Sequence, residues 1–151
     1  MTHKVVMIGG PNLGRLGSRQ PDIYGDTTWE KLEALCRDWA QEISLELDFL
    51  QSDMEGEIVG MIHLAGDSSD GIIINAAAYT HTSVAIRDAL AAVDIPVVEL
   101  HLTNPDAREP FRRNNLLADV VTAGIRGFGI EGYRMALSGM ARLLGDRSPR
   151  S

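Results

Sequence analysis

The stretch Gly71-Ile72-Ile73-Ile74-Asn75 decides the fold. Three consecutive isoleucines leave no polar alternation, so neither face of the segment is suited to water until Asn75 ends it. A run apolar on both sides is what a central parallel strand requires, because helices cover both faces of such a sheet. Working outward, residues 4–8 (KVVMI) form a second buried run, halted by Gly9, Gly10 and Pro11. Leu45, Leu47 and Phe49 alternate with Glu46 and Asp48, the period of a half-exposed strand suited to a sheet edge. Residues 97–100 and 120–125 supply a fourth and a fifth strand.

Helical patterns separate these runs. Thr27 and Glu30 form a capping-box signature, after which Trp29, Leu32, Leu35, Cys36, Trp39 and Ile43 predict a helix over 28–43. Residues 55–65 place Ile58, Val59, Ile62 and Ala65 on one face behind an acidic first turn, with Gly66 as the expected stop. Further helices are predicted over 83–93 and 130–144, and a helical turn within 111–117. Strand and helix thus alternate about five times, which predicts a flavodoxin-like three-layer α/β fold with a five-stranded parallel sheet. One domain is expected over 1–145, followed by a polar tail at 146–151 expected to fray.

Charge and cysteine content narrow the function. Fourteen Lys and Arg against 21 Asp and Glu give a net charge of -7, which disfavours a nucleic-acid partner. Lys4 and Lys31 are the only lysines, so the basic side is mostly arginine, the residue suited to bidentate contact with anions. A single cysteine forms neither an internal disulfide nor a multi-cysteine metal site, and fits a reducing, cytoplasmic setting. No window reaches the apolar length of a membrane span, so no membrane partner is expected.

In a doubly wound sheet ligands bind beyond the carboxyl ends of the strands, where the strand order reverses. The loop after the first strand, residues 9–25 (GGPNLGRLGSRQPDIYG), holds Asn12, Arg15, Arg19 and Tyr24. Neither nucleotide fingerprint fits: no three glycines take the dinucleotide spacing, and Arg15 and Leu16 replace the Lys and Ser or Thr of a phosphate loop. After the central strand comes NAAAYTHTS, with Asn75 at the strand end and His81 before a helix. After the fourth comes ELHLTN, where Glu99 and His101 share one strand face, so the acid is placed to orient the ring and favour its charged form. REPFRR adds Arg108, Arg112 and Arg113. Taken singly, His81 is as well explained by a capping role, and His101 by a place in the core. Together these groups suit a small anionic, hydroxyl-rich ligand and acid–base chemistry. The four histidines lack zinc spacing and Cys36 lies in a helical apolar stripe, so no metal and no cofactor are expected.

The blocks GPNL at 10–13, LGSRQPDIYG at 16–25, AYTHTSVAIRDAL at 78–90, IPVVELHLTN at 95–104 and REPFR at 108–112 closely resemble the type II 3-dehydroquinate dehydratases, over nearly the whole chain. The resemblance implies a cofactor-free, reversible anti-elimination of water from 3-dehydroquinate to 3-dehydroshikimate through an enolate, in the shikimate pathway or in quinate catabolism. It makes Tyr24 the base, with Arg19 and Arg108 favouring its phenolate, Asn12 the enolate stabiliser through a water, and His101 the acid oriented by Glu99. Asn75, His81 and Arg112 would hold ring hydroxyls, and Leu102 and Thr103 the carboxylate. Asp88 would reach a neighbouring subunit's site within a dodecamer of four trimers. The segment 19–24 would act as a lid.

Several positions depart from that pattern: Gly14-Arg15 for Asn-Leu, Gln20 for Glu, Asp53-Met54 for Asn-His, and Ala76-Ala77 for Pro-Gly. The last pair is the most consequential, since alanine resists positive φ and its methyl crowds the site. A non-catalytic ligand-binding homologue, or a lyase for another cyclic hydroxy-acid, are the alternatives these departures leave open.

Overall fold

The structure is a computed structural model in which residues 2–18, 22 and 25–150 are described. Strands β1 (His3–Gly9), β2 (Leu45–Gln51), β3 (Gly71–Asn75), β4 (Val97–His101) and β5 (Ala123–Arg126) form one sheet in the order β2-β1-β3-β4-β5. Every pairing is parallel. The expected flavodoxin-like arrangement is therefore observed, with β3 central and buried throughout and β2 at an edge. Strand order reverses direction between β1 and β3, which fixes the switch point.

Among the described residues, helices α1 (Trp29–Glu42), α2 (Glu55–Ser68), α3 (Val84–Ala92) and α4 (Glu131–Leu144) divide between the two faces. Because side chains alternate along a strand, Val5, Met7 and Ile73 pack with Leu32 and Cys36 of α1 and with Leu137 and Met140 of α4. Val6, Ile8, Ile72 and Ile74 point the other way, onto Ile58 and Ile62 of α2 and Ile86 and Leu90 of α3. The isoleucine run thus feeds both cores at once.

Several boundaries differ from expectation. Thr28, one residue beyond the anticipated Thr27, caps α1 by accepting from Lys31 N at 3.2 Å. Gly66 does not end α2, which continues to Ser68. A Cβ there would lie 2.7 Å from Val93 Cγ1, so the glycine serves helix packing. The fifth strand begins at Ala123 rather than 120, because Val120 and Val121 pack into the α2/α3 core. The expected turn near 111–117 is a short 3-10 helix at Pro110–Arg113.

The terminal segment is tied down rather than frayed. Arg150 N donates to Asp70 Oδ1 at 2.6 Å, and its guanidinium reaches Gly66 O at 2.7 Å and Asp94 Oδ1 at 2.8 Å. Among the described residues no helix is long and apolar enough to cross a membrane.

Candidate active site

A cavity of about 230 Å³ opens where β1, β3 and β4 end, at the switch point. Each strand delivers its contribution by a different local device. At the end of β1, Gly10 N donates to Asn75 O at 2.8 Å, drawing two strand exits together. A Cβ on Gly10 would sit 2.5 Å from Ala76 O, so this approach requires glycine. Asn12 follows at φ 71, a left-handed conformation that asparagine tolerates. Its N–H donates to Asp53 Oδ1 at 2.9 Å, and Gln51 Nε2 donates to the same oxygen at 3.0 Å and to Gly10 O at 3.1 Å. A Cβ on Gly14 would meet Gln51 Oε1 at 3.1 Å. Two of the departures, Gly14 and Asp53, therefore meet at one side chain and together shape the seat of Asn12.

At the end of β3, the buried Asn75 side chain accepts from Ala77 N at 3.1 Å through Oδ1, and its Nδ2 faces the Tyr133 hydroxyl at 3.4 Å. Burial pushes the Tyr133 hydroxyl well above its ordinary pKa, so it stays protonated and neutral. Ala77 sits at φ 53, the strain anticipated for the Ala76-Ala77 pair, whereas Ala76 is fully buried at φ -74 and unstrained. A left-handed alanine costs about 1–2 kcal/mol. Ala77 also lines the cavity, as does His81. The His81 Nδ1 lies 2.8 Å from Asn114 O. A carbonyl only accepts, so Nδ1 carries the hydrogen and Nε2 of the neutral ring is left as an acceptor.

At the end of β4, His101 is buried with its ring at the cavity wall. Its Nε2 lies 3.1 Å from Glu99 Oε2, off the line of a ring N–H, so the contact is close but not a directed hydrogen bond. Glu99 stands behind the ring, in the wall of a neighbouring cavity of about 420 Å³. Leu102 and Thr103 continue the lining, and Arg108 Nη1 reaches Thr103 Oγ1 at 3.5 Å. Arg112 lies over the Phe111 ring and is held by both oxygens of Glu109, at 2.9 and 3.4 Å. That hydrogen bonding lowers the Glu109 pKa, so the carboxylate keeps its charge.

The cavity therefore gathers Asn12, Asn75, His81, His101, Leu102, Thr103, Arg108 and Arg112, with Glu99 one layer back. Arg15 is exposed and Arg113 lines the neighbouring cavity, so neither belongs to this wall. Asp88 is exposed on α3, away from the cavity. Arg19 and Tyr24 lie outside the described residues.

The sequence model for dehydroquinase class II matches residues 3–141. The chain belongs to the class II dehydroquinase family. It is 52% identical over 144 residues to a protein of Fusarium vanettenii named catabolic 3-dehydroquinase 1, covering 95% of this chain and all of that one. A 3-dehydroquinate dehydratase of Sulfurimonas denitrificans is 50% identical, over 95% of this chain and 89% of its own. Among solved structures, the type II dehydroquinase of Propionibacterium acnes superposes with a TM-score of 0.91 at 41% identity, covering 94% of this chain and 98% of that one.

Within this dehydroquinase scaffold, sequence reasoning overlooked Asn115, Gln51 and Tyr133, which touch site residues from outside the quoted loops. None of the three left a readable signal, because each meets its partner only across the folded chain. Among the described residues no group of three or more His, Cys, Asp or Glu is arranged to hold a metal. Burial, with Glu33 adding to it, pushes the Cys36 thiol up to about 12, so it is not a nucleophile near neutral pH.

Proposed function

We propose that the chain is a 3-dehydroquinate dehydratase, converting 3-dehydroquinate to 3-dehydroshikimate and water by acid–base chemistry. The observation that carries this reading is the buried Glu99–His101 pair at the wall of a cavity that two asparagines and two arginines also line. Tyr24 removes the proton beside the ketone, and the electron pair moves onto the carbonyl oxygen as an enolate. A free tyrosine titrates near ~10, so Arg19 and Arg108 supply the positive potential that favours phenolate. Asn12, through a water, stabilises the enolate oxygen. His101 protonates the departing hydroxyl on the opposite face as the enolate collapses, and water leaves. Asn75, His81 and Arg112 hold ring hydroxyls, and Leu102 and Thr103 take the carboxylate.

A net negative chain with an arginine-lined cavity suits a small carboxylate substrate rather than a nucleic acid. The lone cysteine, buried and protonated, suits a cytoplasmic setting. An exposed Asp88 on α3 is compatible with a role in a neighbouring subunit's site within a dodecamer of four trimers. Light scattering that returns a fully active monomer would exclude that role. The test of the activity is the ultraviolet absorbance of the conjugated enone product. It should rise with the parent protein and stay flat with Tyr24→Phe; a flat trace from the parent overturns the reading.

One observation favours a second reading. Ala77 places a methyl at the cavity wall where the family usually has glycine. If calorimetry shows tight binding of 3-dehydroquinate without product, the chain is a binding homologue; turnover of a different hydroxylated ring acid makes it a related lyase.

A further inference from the structure

We propose that Asn115 is a positioning residue for His101, acting through the Glu99 carboxylate; this rests on the dehydratase reading above. Asn115 lies in the connection between Pro110–Arg113 and β5, fourteen residues beyond His101 in sequence. Its Nδ2 donates to both oxygens of Glu99, at 3.1 Å to Oε1 and 2.9 Å to Oε2. Its Oδ1 accepts from two backbone amides, Leu117 N at 2.8 Å and Ala118 N at 3.0 Å. A carboxamide with both ends engaged has one orientation: the amides fix the oxygen end, which aims the nitrogen at the carboxylate. Neighbouring bonds hold the segment in place, since Leu116 N donates to Thr80 O at 2.9 Å and Asn114 O faces His81 Nδ1.

Glu99 matters because its Oε2 lies 3.1 Å from His101 Nε2, with both side chains at most one-tenth exposed. A carboxylate beside that edge of the ring sets which way the ring turns and the charge it meets. The carboxylate's rotation about its last bond is otherwise soft, because terminal sp³–sp² torsions are broad. Asn115 removes that freedom by binding both oxygens. The side chain thus links the rigid backbone of residues 117–118 to the ring that moves a proton.

Among the described residues, the charged and titratable groups that share the two cavities with His101 are Glu99 on its own strand, His81 before α3, Asp106, Arg108, Arg112 and Arg113 after β4, and Arg126 on β5. Among these, changing residue 115 touches only the hydrogen bonding of Glu99, so a change in the pH profile of the rate reports on the Asn115–Glu99 link.

Two variants separate this role from a structural one. Asn115→Asp keeps the oxygen that accepts the two amides but replaces the donor to Glu99 with a like charge. Asn115→Ala removes both functions. Loss of a partner one step out from a functional histidine lowers activity about ten- to a hundredfold, and loss of Asn115, one step beyond Glu99, is expected to lower kcat by about tenfold. Both variants should show that loss with KM little changed, and Asn115→Asp, which sets a second carboxylate against the buried Glu99, should also lower the melting temperature. In Asn115→Ala the pH profile of the rate should change as well, because Glu99 is no longer held in one orientation against the ring. An active parent with an equally active Asn115→Asp overturns the proposal and leaves the dehydratase reading intact. A lower melting temperature with parental kcat and pH profile does the same. A parent without turnover overturns both.

Discussion

Asn75 and His101 end neighbouring strands of one sheet and face one cavity, yet the two exits are held by opposite means. The β3 exit is held by strain: Asn75 bonds the amide of Ala77, which sits at φ 53, and Gly10 is pressed against the backbone of Ala76. At the β4 exit no non-glycine residue has positive φ; a ladder of side chains runs from Asn115 through Glu99 to His101. The difference follows from what each exit offers. A backbone bend fixes where a side chain starts and suits an amide such as Asn75, whose proposed role is to bind a ring hydroxyl. A proton donor also needs its ring and charge set, which takes side-chain partners.

That contrast can be broken at several points. The largest expected effect is at the β4 exit: His101→Ala should lower kcat by about 10²–10⁴, the usual worth of a positioned acid. Stability should change far less, because His101 is at the cavity wall rather than in either apolar core. Turnover and thermal unfolding measured on the same sample check this split. At the β3 exit the balance should reverse. Asn75→Ala strands the Ala77 amide and the buried Tyr133 hydroxyl, a loss of about 1–3 kcal/mol that urea unfolding will show.

The packing beneath the β3 exit gives a pH signature. Cys36 is raised from 9.0 to about 12 by burial, so the folded state holds its proton where the unfolded chain releases it. Stability is therefore full below pH 9 and falls as pH rises toward 12. Cys36→Ala should lessen that fall in denaturation curves taken across the window, leaving the part that the buried Tyr133 hydroxyl contributes above its ordinary pKa. The smallest effect is at Ala77 itself: Ala77→Gly relieves the left-handed strain at some cost in unfolded-chain entropy, a net gain of about 1 kcal/mol. A loss of stability would show that the strain is not there.

The sequence made the contrast only half visible. β3 was legible because three isoleucines admit no exposed face, and the Ala77 strain because alanine replaced glycine in a tight turn. Glu99 and His101 were legible from strand alternation. Asn115 was not, because a loop residue reveals its partner only when the chain is folded. Likewise the apolar pair Val120-Val121 imitated a strand while packing from a loop, and Gly66 imitated a helix stop while making room for Val93. Local pattern records what a residue prefers, whereas these positions are set by what lies across from them.

The proposed mechanism divides the labour, giving proton removal to Tyr24 and hydroxyl departure to His101. Solvent-deuterium exchange into 3-dehydroquinate, followed by NMR with the His101→Ala variant, tests it most directly. Deuterium should enter beside the ketone while almost no enone forms, because the enolate is still made and reversed. Loss of exchange and of dehydration in equal measure would contradict the division.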